Sequence, residues 1–157
     1  MTKKTKGICL ILMLASCSVF AQNKQVAITF DDAPFIQWSP KTPIVELKKS
    51  NQKILDALTK YNVPAAVFIN ESPLIKEGET DKRIEILKLW IDNPLITLGN
   101  HGYAHATYAE TSVTDFKDEI MKDEVITKKL LAGTNKKLEY PRFPYNDWSK
   151  KIPIQWE

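Results

Sequence analysis

The chain of 157 residues contains two histidines, His101 and His105, which stand four positions apart. On a helical turn this spacing would place both imidazoles on one face, within reach of a single metal ion. A pair of solvated or core histidines is the alternative, and the spacing alone does not decide between the two. A zinc metalloprotease also has two histidines at this spacing, but it requires a glutamate directly after the first one. Gly102 occupies that position here, so the pattern does not indicate a metalloprotease.

Further candidates for chemistry follow other short apolar runs. Asp31 and Asp32 come directly after residues 26–30, which are apolar or β-branched and predict a buried strand. An ordinary turn is the alternative, because aspartate favours turns. Arg142 comes shortly after a predicted strand at residues 137–140. In a parallel α/β fold the carboxyl ends of the strands share one rim, so these residues and both histidines are expected to meet there.

The elements that must position these residues alternate along the chain. Strands are predicted at residues 26–30, 65–69, 95–98 and 137–140. Amphipathic helices are predicted at residues 44–61 and 81–92, and a third runs from a capping segment at 111–115 to about residue 131. This β-α-β-α-β-α-β order indicates an α/β fold with a parallel sheet and right-handed helical crossovers.

Composition excludes several classes of protein. The net charge of +3 comes from 22 basic and 19 acidic residues, and no basic stripe interleaved with aromatic residues indicates a nucleic-acid partner. The length is enough for one domain and not two. Composition therefore gives no indication of a nucleic-acid partner and favours a single globular domain.

The first 21 residues are expected to be a signal peptide. Lys3, Lys4 and Lys6 precede a short apolar run, and Ala21 ends a segment that a signal peptidase would cleave. The apolar run is too short for a comfortable membrane span, so no transmembrane segment is expected in the mature chain. A lipobox-like sequence that ends at Cys17 is the alternative and would give a lipid anchor. In either case the protein is expected to be exported, to the periplasm or the extracellular space.

Both cysteines lie in this leader, so a metal in the mature domain must be bound by histidine and carboxylate side chains. Two histidines and one aspartate would leave open coordination positions, as a hydrolytic site requires. Zinc is the first candidate, and the ligand set also suits other divalent transition metals such as Co²⁺ or Ni²⁺. Asp31, the neighbour of Asp32, is well placed to act as a base.

Three segments carry a resemblance to a known family. Residues 29–32 (TFDD), 101–105 (HGYAH) and 142–145 (RFPY) resemble the first three motifs of the polysaccharide deacetylases with a NodB-homology domain (carbohydrate esterase family 4), in the family's order. The resemblance covers about residues 26–147 and places the domain at residues 22–157. It implies a distorted (β/α) barrel that removes acetyl groups from an acetylated polysaccharide or oligosaccharide, such as N-acetylglucosamine polymers, peptidoglycan or acetylxylan.

The resemblance also implies a role for each matched residue. The implied metal ligands are Asp32, His101 and His105. Asp31 would be the general base, Arg142 would orient and pair with it, and the Tyr145 backbone amide would help to stabilise the oxyanion.

Two departures from the family pattern lead to further expectations. The family often has Ser or Thr at the position of Gly102, so the lack of a hydroxyl side chain here is expected to loosen the loop. Family members continue past the third motif to an aromatic-lined acetyl pocket and a later histidine that acts as general acid, and here both histidines are already committed to the metal. Four strands are also too few to close a barrel, which needs about seven or eight. We therefore expect only the N-terminal part of a deacetylase domain here, a truncated form. An inactive carbohydrate-binding remnant and a purely structural α/β domain remain as alternatives.

Overall fold

The computed structural model describes residues 25–35 and 42–147. The expected leader and both of its processing sites lie outside these residues. The strands are β1 Ile28–Ala33, β2 Ala65–Ile69, β3 Ile96–Asn100 and β4 Leu138–Pro141. The α-helices are α1 Ile44–Lys60, α2 Thr80–Asp92, α3 Val113–Lys122 and α4 Val125–Leu131. Short 3₁₀ turns lie at Ser72–Leu74, Tyr108–Glu110 and Pro144–Asn146.

The four strands form one parallel sheet in the order β1-β2-β3-β4, which confirms the predicted fold class. Because each strand pairs with the next in sequence, the connecting helices return the chain to the same end of the sheet every time. β1 and β4 lie at the two edges, so the described part has the arrangement of a partial barrel.

The main core lies between the sheet and the first two helices. Val67 of β2 and Leu98 of β3 pack there against Ile86, Leu87 and Trp90 of α2, and all five are at most 1% exposed. The Trp90 indole N–H donates to Asn51 Oδ1 of α1 at 2.6 Å. This bond satisfies a polar group that would otherwise be costly to bury and fixes α1 against α2.

The predicted first strand ends too early. β1 extends through both aspartates to Ala33, and its pairing with β2 shifts register between Phe30 and Ala33. Asp32 adopts a left-handed backbone conformation with φ of 60°. Such a bulge leaves residues out of the ladder and redirects their side chains, which is why the strand continues past a polar pair.

The predicted third helix is in fact two helices, α3 and α4, which are separated at Asp123 and Glu124. Ser112 caps α3 as predicted, because its hydroxyl accepts the Asp115 N–H at 3.1 Å. The helix stops at Asp123 because that carboxylate turns inward, where it accepts backbone N–H groups from other elements.

None of the helices in residues 25–35 and 42–147 is both long and apolar enough to cross a membrane.

Gly99 of β3 lies against a neighbour on each side. A Cβ atom at this position would come within 2.6 Å of the Phe68 ring and 2.7 Å of the Tyr140 carbonyl oxygen. Phe68 belongs to β2 and Tyr140 to β4, so glycine permits the close approach of three strands. The loop that follows β3, residues 101–107, carries both histidines and is called the histidine loop below.

We predict that Gly99→Ala destabilises the protein by about 1–3 kcal/mol, the usual range for overpacking a close-packed site. Denaturant unfolding followed by circular dichroism measures this free energy. Thr97→Ala, at an exposed position of the same strand, is the matched control and should change stability by only about 0.5 kcal/mol. Equal unfolding free energies for the two variants would contradict the steric argument.

Candidate metal centre

Three side-chain donors converge at the carboxyl edge of the sheet. Asp32 Oδ1 lies 3.3 Å from His105 Nε2 and 3.8 Å from His101 Nε2, and the three donor atoms lie within 4.8 Å of one another. Ligands bound to zinc at about 2.0–2.2 Å in a tetrahedral arrangement are separated by about 3.3–3.6 Å. The donors therefore fit one divalent cation after small adjustments.

The two histidines meet through a loop and not through a helix. His101 follows β3 directly, and the backbone at Gly102 and His105 is left-handed, with φ of 80° and 59°. These conformations reverse the chain so that the imidazole centroids lie 4.9 Å apart. The histidines therefore meet without the helical turn that would also have brought them to one face, because a spacing of four residues does not fix the backbone between them.

The imidazole of His101 is held in one tautomer. Its Nδ1 lies 2.8 Å from the Arg142 carbonyl oxygen. Since a carbonyl can only accept, Nδ1 must carry the proton, which leaves the lone pair of Nε2 directed to Asp32. Burial lowers the pKa of His101 below its usual value, against the opposing effects of this hydrogen bond and the Asp31 charge. The neutral imidazole is the form that binds a metal.

The loop is tied at Gly102, contrary to the loosening expected from the lack of a hydroxyl side chain. The Gly102 N–H donates to Asn100 Oδ1 at 2.8 Å. The side-chain amide of Asn70 donates to the carbonyls of both His101, at 2.9 Å, and Gly102. The backbone of Gly102 has a φ of 80°, a conformation that glycine adopts without steric cost.

Asp31 and Arg142 form an ion pair beside the donor cluster. Arg142 Nη1 donates to Asp31 Oδ1 at 2.7 Å and to Thr29 Oγ1 at 3.0 Å. Its guanidinium carbon lies 3.8 Å from the centroid of the Phe68 ring, and such stacking suits a planar guanidinium. Arg142 thus touches Asp31 with its side chain and His101 with its backbone.

A cavity of about 360 Å³ opens in front of the donors, a size typical of small-molecule sites. Tyr145 stands on its rim with a left-handed φ of 60°, and its ring centroid lies 4.6 Å from that of His105. The cavity is lined by Asp32, Phe35, Asn70, Ser72, Pro73, Ala104, His105 and Tyr145.

The structure brings all six sequence-predicted residues to this one edge. It adds residues that the sequence analysis did not name, among them Asn70, which follows β2, and Asn100, which ends β3. Both could have been found by the rule that identified Asp31 and Asp32, since polar residues at the ends of parallel strands share the same rim.

Known proteins show the same combination of sequence and fold. The sequence profile described as "Polysaccharide deacetylase" matches residues 20–155. A peptidoglycan-N-acetylglucosamine deacetylase of Bacillus cereus is 31% identical over 123 residues, which cover 78% of this chain and 37% of that protein. The chain thus spans well under half the length of this curated relative.

Two solved structures are similar in fold. A CE4 family pseudoenzyme from Bacillus anthracis superposes with a TM-score of 0.59 at 21% identity, over 82% of this chain and 38% of the other. The peptidoglycan deacetylase PdaC from Bacillus subtilis superposes with a TM-score of 0.55 at 25% identity, over 82% of this chain and 53% of the other. Because the profile matches most of the chain, and its three motifs meet at one edge of a parallel sheet, the chain belongs to the polysaccharide deacetylase family.

Proposed function

We propose that the protein is a metal-dependent hydrolase that removes acetyl groups from a polysaccharide or oligosaccharide. The observation that carries this proposal is the convergence of Asp32, His101 and His105 within 4.8 Å, beside the Asp31–Arg142 pair, in a chain of this family. Zinc is the first candidate for the cation, and Co²⁺ or Ni²⁺ would suit the same donors.

A divalent cation held by these donors would supply a Lewis acid for the acetyl carbonyl and would lower the pKa of water. Asp31 is the residue to accept a proton from that water. Arg142 holds one of its carboxylate oxygens at 2.7 Å, and the stack on Phe68 in turn fixes the guanidinium. A base fixed in this way need not reorganise when it takes the proton.

The Tyr145 backbone amide is proposed to donate to the oxyanion. One fixed donor of this kind is worth about 3 kcal/mol of barrier reduction. Tyr145 lines the same cavity as Asp32 and His105, so its main chain lies beside the space that an acetyl group would occupy.

A second candidate function is a carbohydrate-binding remnant without catalysis. One observation favours it: both histidines of the chain belong to the donor cluster, so no imidazole within it is left to protonate a leaving amine. The cavity could then bind a sugar without cleaving the acetyl group.

Export remains part of the proposal. A signal peptide at residues 1–21, or a lipid anchor at Cys17, would bring the protein to the compartment where bacterial cell-wall and extracellular polysaccharides occur.

We predict that the metal-free protein binds one Zn²⁺ per chain and that Asp32→Ala and His101→Ala each abolish measurable binding, because each removes one of three donors. Isothermal titration calorimetry measures the affinity and the stoichiometry. Asp56→Ala is the control: this exposed carboxylate is hydrogen-bonded to Gln52 of the same helix and should leave Zn²⁺ binding unchanged. Tight binding that survives the loss of His101 would contradict the assignment of the ligands.

We predict that acetate is released from chitooligosaccharides in the presence of Zn²⁺ and that Asp31→Asn lowers this turnover by about 10²–10⁴-fold, the usual contribution of a general base. The same variant should keep Zn²⁺ binding, because Asp31 is not among the three donors. Asp56→Asn is the matched exchange at an exposed position. Zn²⁺ binding with sugar binding but without acetate release would support the remnant instead, and full activity of Asp31→Asn would refute its role as base.

A further inference from the structure

Two carboxylates lie buried behind the donor cluster, outside the machinery described above. Glu71 follows β2 and Asp123 separates α3 from α4, and each is 1% exposed. Among residues 25–35 and 42–147, Glu71 and Asp123 are the only two buried acidic side chains. Acidic side chains are almost never fully buried unless their oxygens are partnered, so the partners of this pair show what it holds.

Asp123 joins the ends of the two central strands. Its Oδ1 accepts the Glu71 N–H at 2.6 Å, and its Oδ2 accepts the His101 N–H at 3.3 Å. The His101 N–H is shared with the Ile69 carbonyl at 2.8 Å. One carboxylate therefore spans the first residue beyond β3 and the second beyond β2, and one of its two contacts is the backbone of a proposed metal ligand.

Glu71 fixes the neighbouring helix. Its oxygens accept the N–H groups of Thr127 at 2.5 Å and Ile126 at 2.8 Å, which belong to the first turn of α4, where amides have no partner within the helix. Asn100 adds two more links, to the Ile120 carbonyl at 2.8 Å and to Glu124 Oε1 at 3.2 Å. The junction between α3 and α4 is thereby attached to the ends of both strands.

The first four residues of the histidine loop are held by hydrogen bonds, most of them to the end of α3. The amides of four consecutive residues, His101 to Ala104, each have an acceptor. Asp123 accepts the first, while the carbonyl of Glu119 accepts Tyr103 N–H at 3.2 Å and its carboxylate accepts Ala104 N–H at 2.7 Å. The end of α3 thus supplies acceptors for three of the four amides.

The buried pair is expensive to maintain. Two carboxyl groups moved from water into the interior lose their hydration, which costs free energy even where their oxygens accept hydrogen bonds. Apolar side chains of similar size would avoid this desolvation, and buried ionisable groups are weak evidence for stability. The geometry of the histidine loop gives the pair a purpose other than stability.

We propose that Asp123, supported by Glu71, is a positioning residue for the cation site: it fixes the backbone at His101 and thereby sets where His101 Nε2 lies relative to Asp32 and His105. The inference rests on the proposed metal site. It predicts that the carboxylate acts on metal affinity through the loop, without touching the cation.

The test is a Zn²⁺ titration of the metal-free protein by calorimetry. Asp123→Ala removes both acceptors and should weaken Zn²⁺ binding about 10–100-fold, the usual effect of losing a group that orients a ligand. Asp123→Asn keeps one acceptor oxygen and should lie between Asp123→Ala and the unaltered protein. Glu71→Gln, which keeps one acceptor for α4, should show a smaller loss in the same direction.

Asn51→Ala is the control for destabilisation alone. Asn51 is also buried, at 4% exposure, and it bonds Trp90 and the Leu47 carbonyl, neither of which belongs to the donor cluster or to the histidine loop. This variant should unfold at lower denaturant concentration yet bind Zn²⁺ as tightly as the unaltered protein. An equal loss of affinity in Asn51→Ala, or unchanged affinity in Asp123→Asn, would overturn the inference.

A second readout needs no metal. Amide hydrogen exchange of the metal-free protein should be faster at His101 and at Glu71 in Asp123→Asn, while the exchange of β1 amides stays unchanged. Unaltered exchange at His101 would overturn the inference even if affinity fell. If the unaltered protein binds no Zn²⁺, the proposed function is refuted instead. This result is distinct from one that refutes only the positioning role of Asp123.

Discussion

The pairing of β2 with β3 is the constraint on which the rest of the site depends. Its register runs without a break from Ala65 opposite Ile96 to Ile69 opposite Asn100, and it continues one step further through the His101 N–H and the Ile69 carbonyl. The flanking pairs shift register close to the functional residues, between Phe30 and Ala33 on one side and between Leu98 and Gly99 on the other. A regular central pair thus provides a fixed reference, and the irregular neighbours redirect their side chains toward it.

Unfavourable backbone conformations concentrate where the side chains must converge. Asp32, His105 and Tyr145 all have φ near 60°, a region that costs non-glycine residues roughly 1–2 kcal/mol each. In a regular strand, the adjacent residues Asp31 and Asp32 would point to opposite faces. The bulge removes that alternation, so Asp31 can meet Arg142 while Asp32 meets both histidines. The core cluster that contains Trp90 also includes Ala33 and Phe35, which lie directly beyond Asp32, so apolar packing beside this edge offsets the strain.

The sequence was sufficient for the order of the elements and for the residues of the site, because both follow from one rule: parallel strands end at a common edge. It was insufficient for the backbone that carries the histidines, since a count of residues says nothing about φ at Gly102 and His105. Asp123 and Glu124 lie within the segment that was predicted as one amphipathic helix. Acidic residues in mid-helix are in fact well suited to a break, because they stand at the start of a new helix whose N-terminus favours negative charge. The two adjacent acidic residues were therefore the available signal for a break between two helices. Burial of the Asp123 carboxylate, in contrast, depends on contacts with Glu71 and His101, which no local sequence pattern shows.

The loop at Gly102 shows why motif residues alone give an incomplete account of this site. A hydroxyl side chain at this position could help to hold the loop, and glycine cannot. The structure holds the loop through its main chain instead, with acceptors from Asn100, Glu119 and Asp123. The last two lie 15 and 22 residues beyond the amides that they bind, outside any short motif. Ligand geometry in this chain is therefore a property of the packing of α3 against the ends of β2 and β3, and a substitution in that packing can act on the cation site without changing a single ligand.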